Sequence, residues 1–462
     1  MGAGASGDGP EGAFETMGSV AQRGAQAALV LAPWAGLGLV HVLTGRSLGA
    51  GVQPAYLPLL LLIGVAGWSV LRARDTERPL LLTCALAWTL ATTTWLWTRD
   101  VVGLAGDVPW TKGLKQFVLL TFFASAAAAF AWCATRVELR RLERAASVGL
   151  AIAGVVALVQ AVTFHLSVPG GAGLERLVSS NPSIASGSGE LYLGDRFVGI
   201  PRVRGPFPEP LHFGSYLLAA VPVTFAGAWA ARGAGRAWRV GVGLLGLLCL
   251  LMTFSRGAWF GAVAVGFVLA VGMGRGVLPR PSRRLVVGTV AGALVLATIG
   301  WPVLTGQAVW ELPGLLVQRV QQSFAGHDMS NLTRFWSWRV AWDLFADHPV
   351  GGVGFGGFGF WYFERAGAIG SGAHFGWPVV NNLPLQLLAE TGAAVFLLWA
   401  ACLVPALRPL WQRRAGAAAF LLAACVVGTV VHLLTFSQWD LPHLWILFGL
   451  AAGMGRRIPQ VV

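Results

Sequence analysis

Charged residues are scarce in this chain. Of its 462 residues, only 11% are Asp, Glu, Lys or Arg, whereas 55% are hydrophobic. Soluble domains carry about a quarter charged residues, so a soluble fold of this length would lack the polar surface it needs. The scarcity excludes a soluble globular protein and favours one whose surface lies largely in lipid.

Cysteine is also rare, and a signal-peptide core is missing. The five cysteines all fall within apolar runs, so we expect neither a disulfide framework nor a zinc site. Residues 1–22 are rich in Gly and Ala and contain no apolar core of the kind that a cleavable signal peptide requires. They predict a disordered cytoplasmic tail, followed by a membrane domain over residues 23–462.

Long apolar runs are what the chain does have. Each is about 20 residues long, the length that an α-helix needs to cross a bilayer core. We therefore predict an all-α, polytopic transmembrane bundle of about twelve spans. The runs lie near residues 24–43, 55–71, 79–98, 114–135, 146–167, 210–231, 238–254, 257–274, 285–304, 383–407, 415–436 and 440–455.

Positive charge is concentrated in the loops between these runs. The net charge is +13, and the basic residues mostly occupy every second short loop. Basic loops of this kind lie on the cytoplasmic side of membrane proteins. The pattern predicts a multi-pass protein of the bacterial inner (cytoplasmic) membrane with both termini in the cytoplasm, and it argues against nucleic acid as the partner of the charge.

Two loops on the predicted outer side are long, at residues 168–209 and 305–382. In the second, Ser330 can cap an amphipathic helix that runs to about Ala346, and Pro349 follows it. This helix either lies on the bilayer surface or acts as a lid whose arginine binds an anionic substrate. The glycine-rich stretch GGVGFGGFGF at 351–360 is either a turn between helices or a loop that approaches a ligand closely.

Three arginines stand at membrane depth on the predicted outer side. Arg204 precedes the sixth run, Arg256 interrupts an apolar stretch in TFSRGAW, and Arg334 lies in the amphipathic segment. An arginine there needs an anionic partner, a wet cavity or the headgroup region. The alternatives are snorkelling side chains and a pyrophosphate site, which the forked guanidinium group suits well.

Few residues on that side could accept a proton. Glu209, five residues after Arg204, is either an ion-pair partner of that arginine or a general base for an acceptor hydroxyl. His374, near the end of the second long loop, is another candidate base.

Four stretches in order resemble the O-antigen ligase/polymerase family. They are RVRGPFPEPLHFGSYL, LLMTFSRGAWFG, LTRFWSWRVAWDLFADHPVGGVGFGGF and NNLPLQLLAETG, within residues 195–405. The resemblance implies an inner-membrane glycosyltransferase that takes a glycan from undecaprenyl pyrophosphate and needs neither nucleotide nor metal. Its acceptor would be another lipid-linked glycan or lipid A–core, with membrane lipids around it. Arg204 and Arg256 match family arginines thought to hold the pyrophosphate, and Arg334 fits a third such stretch.

The chain departs from many ligases at the fourth stretch. Asn381 and Asn382 stand where those ligases have His-Asn, and an amide cannot act as a base at neutral pH. Asn381 would then meet the acceptor beside Glu209 or His374, Asn382 would contact the substrate, and the balance shifts toward a polymerase. The rival function is a transporter or flippase for an anionic lipid-linked sugar, which favours charges and broken helices near the midplane.

Overall fold

Helices make up nearly all of the secondary structure in the described residues. The computed structural model describes residues 10–38, 52–72, 109–165, 177–180, 196–197, 200–322, 329–366, 378–412 and 414–456. The helices are α1 (Pro10–Leu31), α2 (Tyr56–Arg72), α3 (Pro109–Arg136), α4 (Leu139–His165), α5 (Pro210–Ala230), α6 (Gly233–Met252), α7 (Arg256–Gly274), α8 (Arg283–Val295), α9 (Trp301–Thr305), α10 (Leu312–Gln321), α11 (Met329–Asp347), α12 (Phe358–Ala366), α13 (Leu383–Leu407), α14 (Ala417–Leu433) and α15 (Pro442–Arg456).

Short elements complete the described fold. The strands β1 (Arg196–Phe197) and β2 (Ile200–Pro201) form a two-stranded antiparallel ladder. A π-helical turn, Leu296–Gly300, joins α8 to α9, and 3₁₀ turns occupy Val309–Glu311 and Arg408–Leu410. The strands lie just before the RVRG stretch, so they deliver it to the helix bundle.

Seven helices in the described part of the chain are long and apolar enough to cross a membrane. They correspond to predicted runs: α3, α4, α5, α6, α7, α8 with its continuation to Thr305, and α13 with its continuation to Leu410. Helices α2 and α14 are apolar but shorter. The run at 79–98 lies outside the described residues, and the total of twelve spans stays a prediction.

The first helix begins earlier than the sequence predicts. Residues 10–22, expected to belong to a disordered tail, are helical in α1. Ala21, Ala25 and Ala28 are buried and share a face of α1, where they pack with Leu59 and Leu62 of α2. Small side chains let the two helices approach closely, so a segment of low hydrophobicity still finds a place in the bundle.

The glycine-rich stretch after α11 is fastened to a break in α13. The backbone N–H groups of Val353 and Gly354 donate to the carbonyls of Ala389 and Glu390 at 3.0 and 2.9 Å. The buried Glu390 carboxylate accepts from the Phe358 N–H at 3.2 Å. The helix breaks at Gly392, which has φ +72°. The stretch is therefore an ordered turn whose glycines permit this close approach.

A substitution at the break tests this junction. A Cβ on Gly392 would lie 2.2 Å from the Val350 carbonyl oxygen, and its φ lies in the left-handed region. We expect Gly392→Ala to lower the free energy of unfolding by at least about 1–3 kcal/mol, because both the backbone strain and the overlap must be relieved. Thermal unfolding of the purified protein in detergent measures the loss.

Gly266→Ala in α7 is the matched control. A Cβ there would meet nothing within 4 Å, so its melting temperature should equal that of the unchanged protein. Equal melting temperatures for both variants would contradict the proposed role of the Gly392 break.

Candidate functional site

The turn between α6 and α7 forms the floor of the candidate site. Phe254 adopts φ +46°, an uncommon conformation for a residue other than glycine. The Ser255 hydroxyl caps α7 by accepting from the Ala258 N–H at 3.4 Å. The Trp259 indole donates to the Leu250 carbonyl at 3.0 Å, which ties the two helices together across the turn. The turn is thus a rigid support that begins α7 at Arg256.

Two arginines from distant segments bind the carbonyls of this turn. The Arg202 Nε donates to the Thr253 carbonyl at 3.0 Å, and the Arg319 Nε donates to the Phe254 carbonyl at 3.2 Å. Cations are favourable at the carboxyl end of a helix, where unpaired carbonyls concentrate negative partial charge. The RVRG stretch and α10 are thereby held against the end of α6.

Arg256 connects the turn to the amphipathic helix α11. Its Nη2 donates to the Asn331 Oδ1 at 3.1 Å, and the Asn331 Nδ2 donates to the Gln322 carbonyl at 2.7 Å. Arg334 lies three residues after Asn331, hence on the same face of α11. Arg334 also interacts electrostatically with His432 of α14. The predicted helix is confirmed from Met329 to Asp347, although Ser330 lies inside it and not before it, and its first turn adjoins Arg256.

Arg204 comes to the same end of the bundle but is fully buried. The Val203 N–H donates to the Met252 carbonyl at 3.1 Å, which sets the stretch beside the α6–α7 turn. The Arg204 side chain is 0% exposed, and its Nη1 donates to the Phe207 carbonyl at 2.7 Å. Burial lowers the pKa of this guanidinium to about 10, although the nearby Glu209 carboxylate opposes the shift. The group is therefore charged at neutral pH. Its observed contacts stabilise the loop from 204 to 208.

Glu209 faces a histidine that follows it on the same helical face. The Glu209 Oε2 lies 3.9 Å from the Nδ1 of His212, which is 5% exposed. The His212 ring packs edge-on against Phe436, at 5.1 Å between centroids, and the His432 ring stacks on the same Phe436 at 5.1 Å. Asp440 acts on His212 electrostatically. A carboxylate and two imidazoles thus gather beside the arginines.

The fourth predicted stretch joins this group through Phe436. The Leu383 N–H donates to the Phe436 carbonyl at 3.1 Å, and Asn381 has φ +56° just before α13. The Asn382 Oδ1 accepts from the Leu385 N–H at 3.1 Å, so this side chain caps α13. His374 lies outside the described residues.

The polar residues of the site that were not singled out from the sequence include Arg202, His212, Arg319, Asn331 and His432. Arg202 and Arg319 act on backbone carbonyls more than 50 residues away, which no local pattern indicates. For His212 the signal was present, since it lies three residues from Glu209 at the start of an apolar helix. Asn331 likewise stands one helical turn before Arg334.

The assembled groups suit a phosphorylated ligand and a hydroxyl acceptor. Arg256, Arg334 and the amino end of α7 offer donors and positive charge, which favour phosphate oxygens. The Glu209–His212 pair offers a proton acceptor. Among the described residues, no cluster of three or more His, Cys, Asp or Glu is arranged to hold a metal ion.

Residues 241–400 match the family model described as O-antigen ligase. The matched segment contains Arg256, Asn331, Arg334 and Asn381, so the resemblance is confirmed over the part of the site that those residues form. It begins after Arg204, Glu209 and His212. No curated protein matches the chain. The match and the apolar helices indicate a multi-pass membrane protein with O-antigen ligase- or polymerase-type glycan transfer, a glycosyltransferase-like activity.

Arg204 and Arg256 should respond differently to substitution. Arg204→Ala leaves the Phe207 carbonyl without its buried donor and opens a cavity, so we expect the free energy of unfolding to fall by about 2–3 kcal/mol. The half-buried Arg256 should change it by less than about 1 kcal/mol when replaced by Ala. Thermal unfolding of both variants in the same detergent measures the difference.

The exposed Arg339 on α11 supplies the control, since Arg339→Ala should leave the melting temperature unchanged. If Arg204→Ala melts like the unchanged protein yet loses activity, Arg204 contacts substrate instead of supporting the loop.

Proposed function

Because residues 241–400 match an O-antigen ligase family model, we propose that this protein transfers a glycan from undecaprenyl pyrophosphate to an acceptor hydroxyl, as a polysaccharide or O-antigen polymerase or ligase. The observation that carries the proposal is the hydrogen bond from Arg256 to Asn331. It joins the amino end of α7 to the amphipathic helix that bears Arg334, so two arginines from distant segments of the chain belong to one site.

The diphosphate is the group that these arginines would stabilise. Polyprenyl pyrophosphate leaves with negative charge that develops in the transition state, and fixed donors in a water-poor site stabilise such charge strongly. Arg256 and Arg334 would engage phosphate oxygens through their forked guanidinium groups. Arg204, with its loop contacts, would add positive charge from below the site.

The opposite end of the bundle supports the proposed orientation. Arg140 and Arg236 lie near the starts of α4 and α6, whereas the candidate site lies where those helices end. Helix α6 has 20 residues, hence a length of about 30 Å, close to the thickness of a bilayer core. With the arginine-rich loops in the cytoplasm, the site faces the periplasm, where a lipid-linked glycan would meet lipid A–core or a second glycan.

The acceptor proton has one well-supported recipient among the described residues. Asn381 cannot take a proton, but His212 stands 3.9 Å from Glu209, and catalytic hydrogen bonds are often long in ligand-free proteins. His212 would accept the proton of the acceptor hydroxyl while Glu209 stabilises the imidazolium that forms. Asn381 would orient the acceptor. Asn382 caps α13 with its side chain and would also contact the substrate. His374 stays an alternative base.

Replacing Arg256 tests the proposed transfer. Loss of one preorganised donor to a developing anion costs about 100- to 1,000-fold in rate. We therefore expect Arg256→Ala to abolish long-chain surface polysaccharide at normal protein levels, with Arg256→Lys intermediate. Polysaccharide separated by size from cells measures the effect, and Arg339→Ala, on the exposed face of α11, should leave the pattern unchanged. Unchanged chain length and amount in Arg256→Ala would refute the proposal.

An assay of the purified protein separates an enzyme from the rival transporter or flippase. Purified protein in detergent, given a lipid-linked oligosaccharide donor, should form product with no membrane gradient present. A protein that moves the lipid-linked sugar across proteoliposomes but forms no product in detergent would be a transporter.

His212 gives a second test with its own readout. We expect His212→Gln to lower kcat by at least about 100-fold with little change in the donor KM, because general-base assistance contributes about 100- to 10,000-fold. The acid limb of the pH–rate profile should disappear with it. The titratable groups that act on His212 are Glu209, Asp440, His432 and His443, so the profile is measured in Glu209→Gln as well.

His443→Gln is the matched control, since His443 is another buried histidine, bound to the Ser215 hydroxyl at 3.1 Å. Its pH profile should keep the acid limb. An acid limb retained in His212→Gln would exclude His212 as the base and leave His374 as the candidate.

A further inference from the structure

A large cavity opens at the end of the bundle opposite the arginine site and extends along α5 to Tyr216 and His443, which pack against Phe207. Its volume is about 580 Å³, and its lining is mostly apolar. Along α5 the lining runs from Tyr216 to Ala230, which is 14 steps of helix and so about 21 Å. Small side chains along this stripe, such as Ala219, Val223 and Ala226, leave a channel between α5 and its neighbours.

The mouth of this cavity is positively charged. Arg140, Arg236 and Arg280 line it, and they come from three different segments: the start of α4, the start of α6 and the connection from α7 to α8. Arg140 and Arg280 are exposed, and Arg236 is half-buried with its Nε donating to the Ala231 carbonyl at 2.9 Å. Three cations therefore converge where the apolar channel opens.

The acidic residue of the lining already has a cation of its own. Glu143 accepts two hydrogen bonds from Arg239, at 2.7 and 2.9 Å, and Arg239 stands behind the lining. In the described lining, Glu143 is the one carboxylate, so the three arginines of the mouth keep a net positive charge. A ligand that fits must be anionic at one end and apolar along its length.

We propose that this cavity binds an anionic phospholipid, with its phosphate at Arg140, Arg236 and Arg280 and one acyl chain along the α5 stripe. Charge at the mouth selects the headgroup, because each Lys or Arg near the membrane surface favours anionic lipid. The stripe of about 21 Å exceeds one leaflet of a hydrocarbon core that is about 30 Å thick, so it accommodates a whole acyl chain. The proposed phosphate contacts lie at the opposite end of α5 from the transfer site, so this inference stands whether or not transfer occurs there.

Native mass spectrometry of delipidated full-length protein tests the site. The protein is titrated with phosphatidylglycerol, with phosphatidylcholine of the same chains, and with undecaprenyl phosphate. We expect one phosphatidylglycerol per chain to bind at least about tenfold more tightly than phosphatidylcholine. The preference should vanish in Arg140→Ala/Arg236→Ala/Arg280→Ala, and Ala226→Trp, which fills the channel, should weaken phosphatidylglycerol and phosphatidylcholine alike.

The control is Arg283→Ala/Arg284→Ala/Arg408→Ala, three exposed arginines that do not line the cavity. It should retain the preference. Where the triple variant unfolds, the single changes Arg140→Ala and Arg280→Ala, at exposed positions, take its place. Equal binding of both phospholipids, an equal loss in the control, or a tighter binding of undecaprenyl phosphate that the triple variant removes would each overturn the proposal.

Discussion

The rest of the site depends on how the chain turns between α6 and α7. Three residues, 253–255, separate two apolar helices, and the turn is held by guanidinium groups from Arg202 and Arg319 on the carbonyls of Thr253 and Phe254. Helix α7 begins immediately afterwards, so the clamp fixes where Arg256 stands. Without it, the end of α6 would leave buried carbonyls with no donor, which is costly in a membrane interior.

The residues of the fourth stretch, NNLPLQLLAETG, have two different roles. Glu390 and Gly392 fasten the glycine-rich turn to α13, and this turn brings α11 and α12 beside α13. Asn381, at the start of the helix, lies instead beside the Phe436–histidine group. A motif of twelve residues therefore combines a structural junction at its end with a position beside the Phe436–histidine group at its beginning.

Sequence reasoning predicted most helices because run length and apolarity are local properties of a chain in lipid. It also predicted the extent of α11, although the helix begins at Met329 and not after Ser330. It did not find the first half of α1, whose packing rests on alanines of low hydrophobicity, nor the buried state of Arg204. Arg202 and Arg319 bind backbone carbonyls of residues more than 50 positions away, and no pattern of side chains in the sequence indicates these contacts. His212 could have been predicted, because its spacing from Glu209 is typical of one face of a helix.

Burial explains how arginines can lie at the end of the bundle that we propose to face the periplasm, where the orientation rule disfavours them. That rule concerns charges in loops that meet the membrane surface. Arg202 and Arg204 are buried and donate to backbone carbonyls, so each is compensated by the fold, and Arg256 is bound to Asn331. Arg140 and Arg280, at the other end, are exposed. The two sets share a residue type but not a physical environment. Arg140 and Arg280 are exposed, whereas Arg202, Arg204 and Arg256 are held by the protein in a preorganised positive surface that, under the proposed function, would stabilise a departing diphosphate.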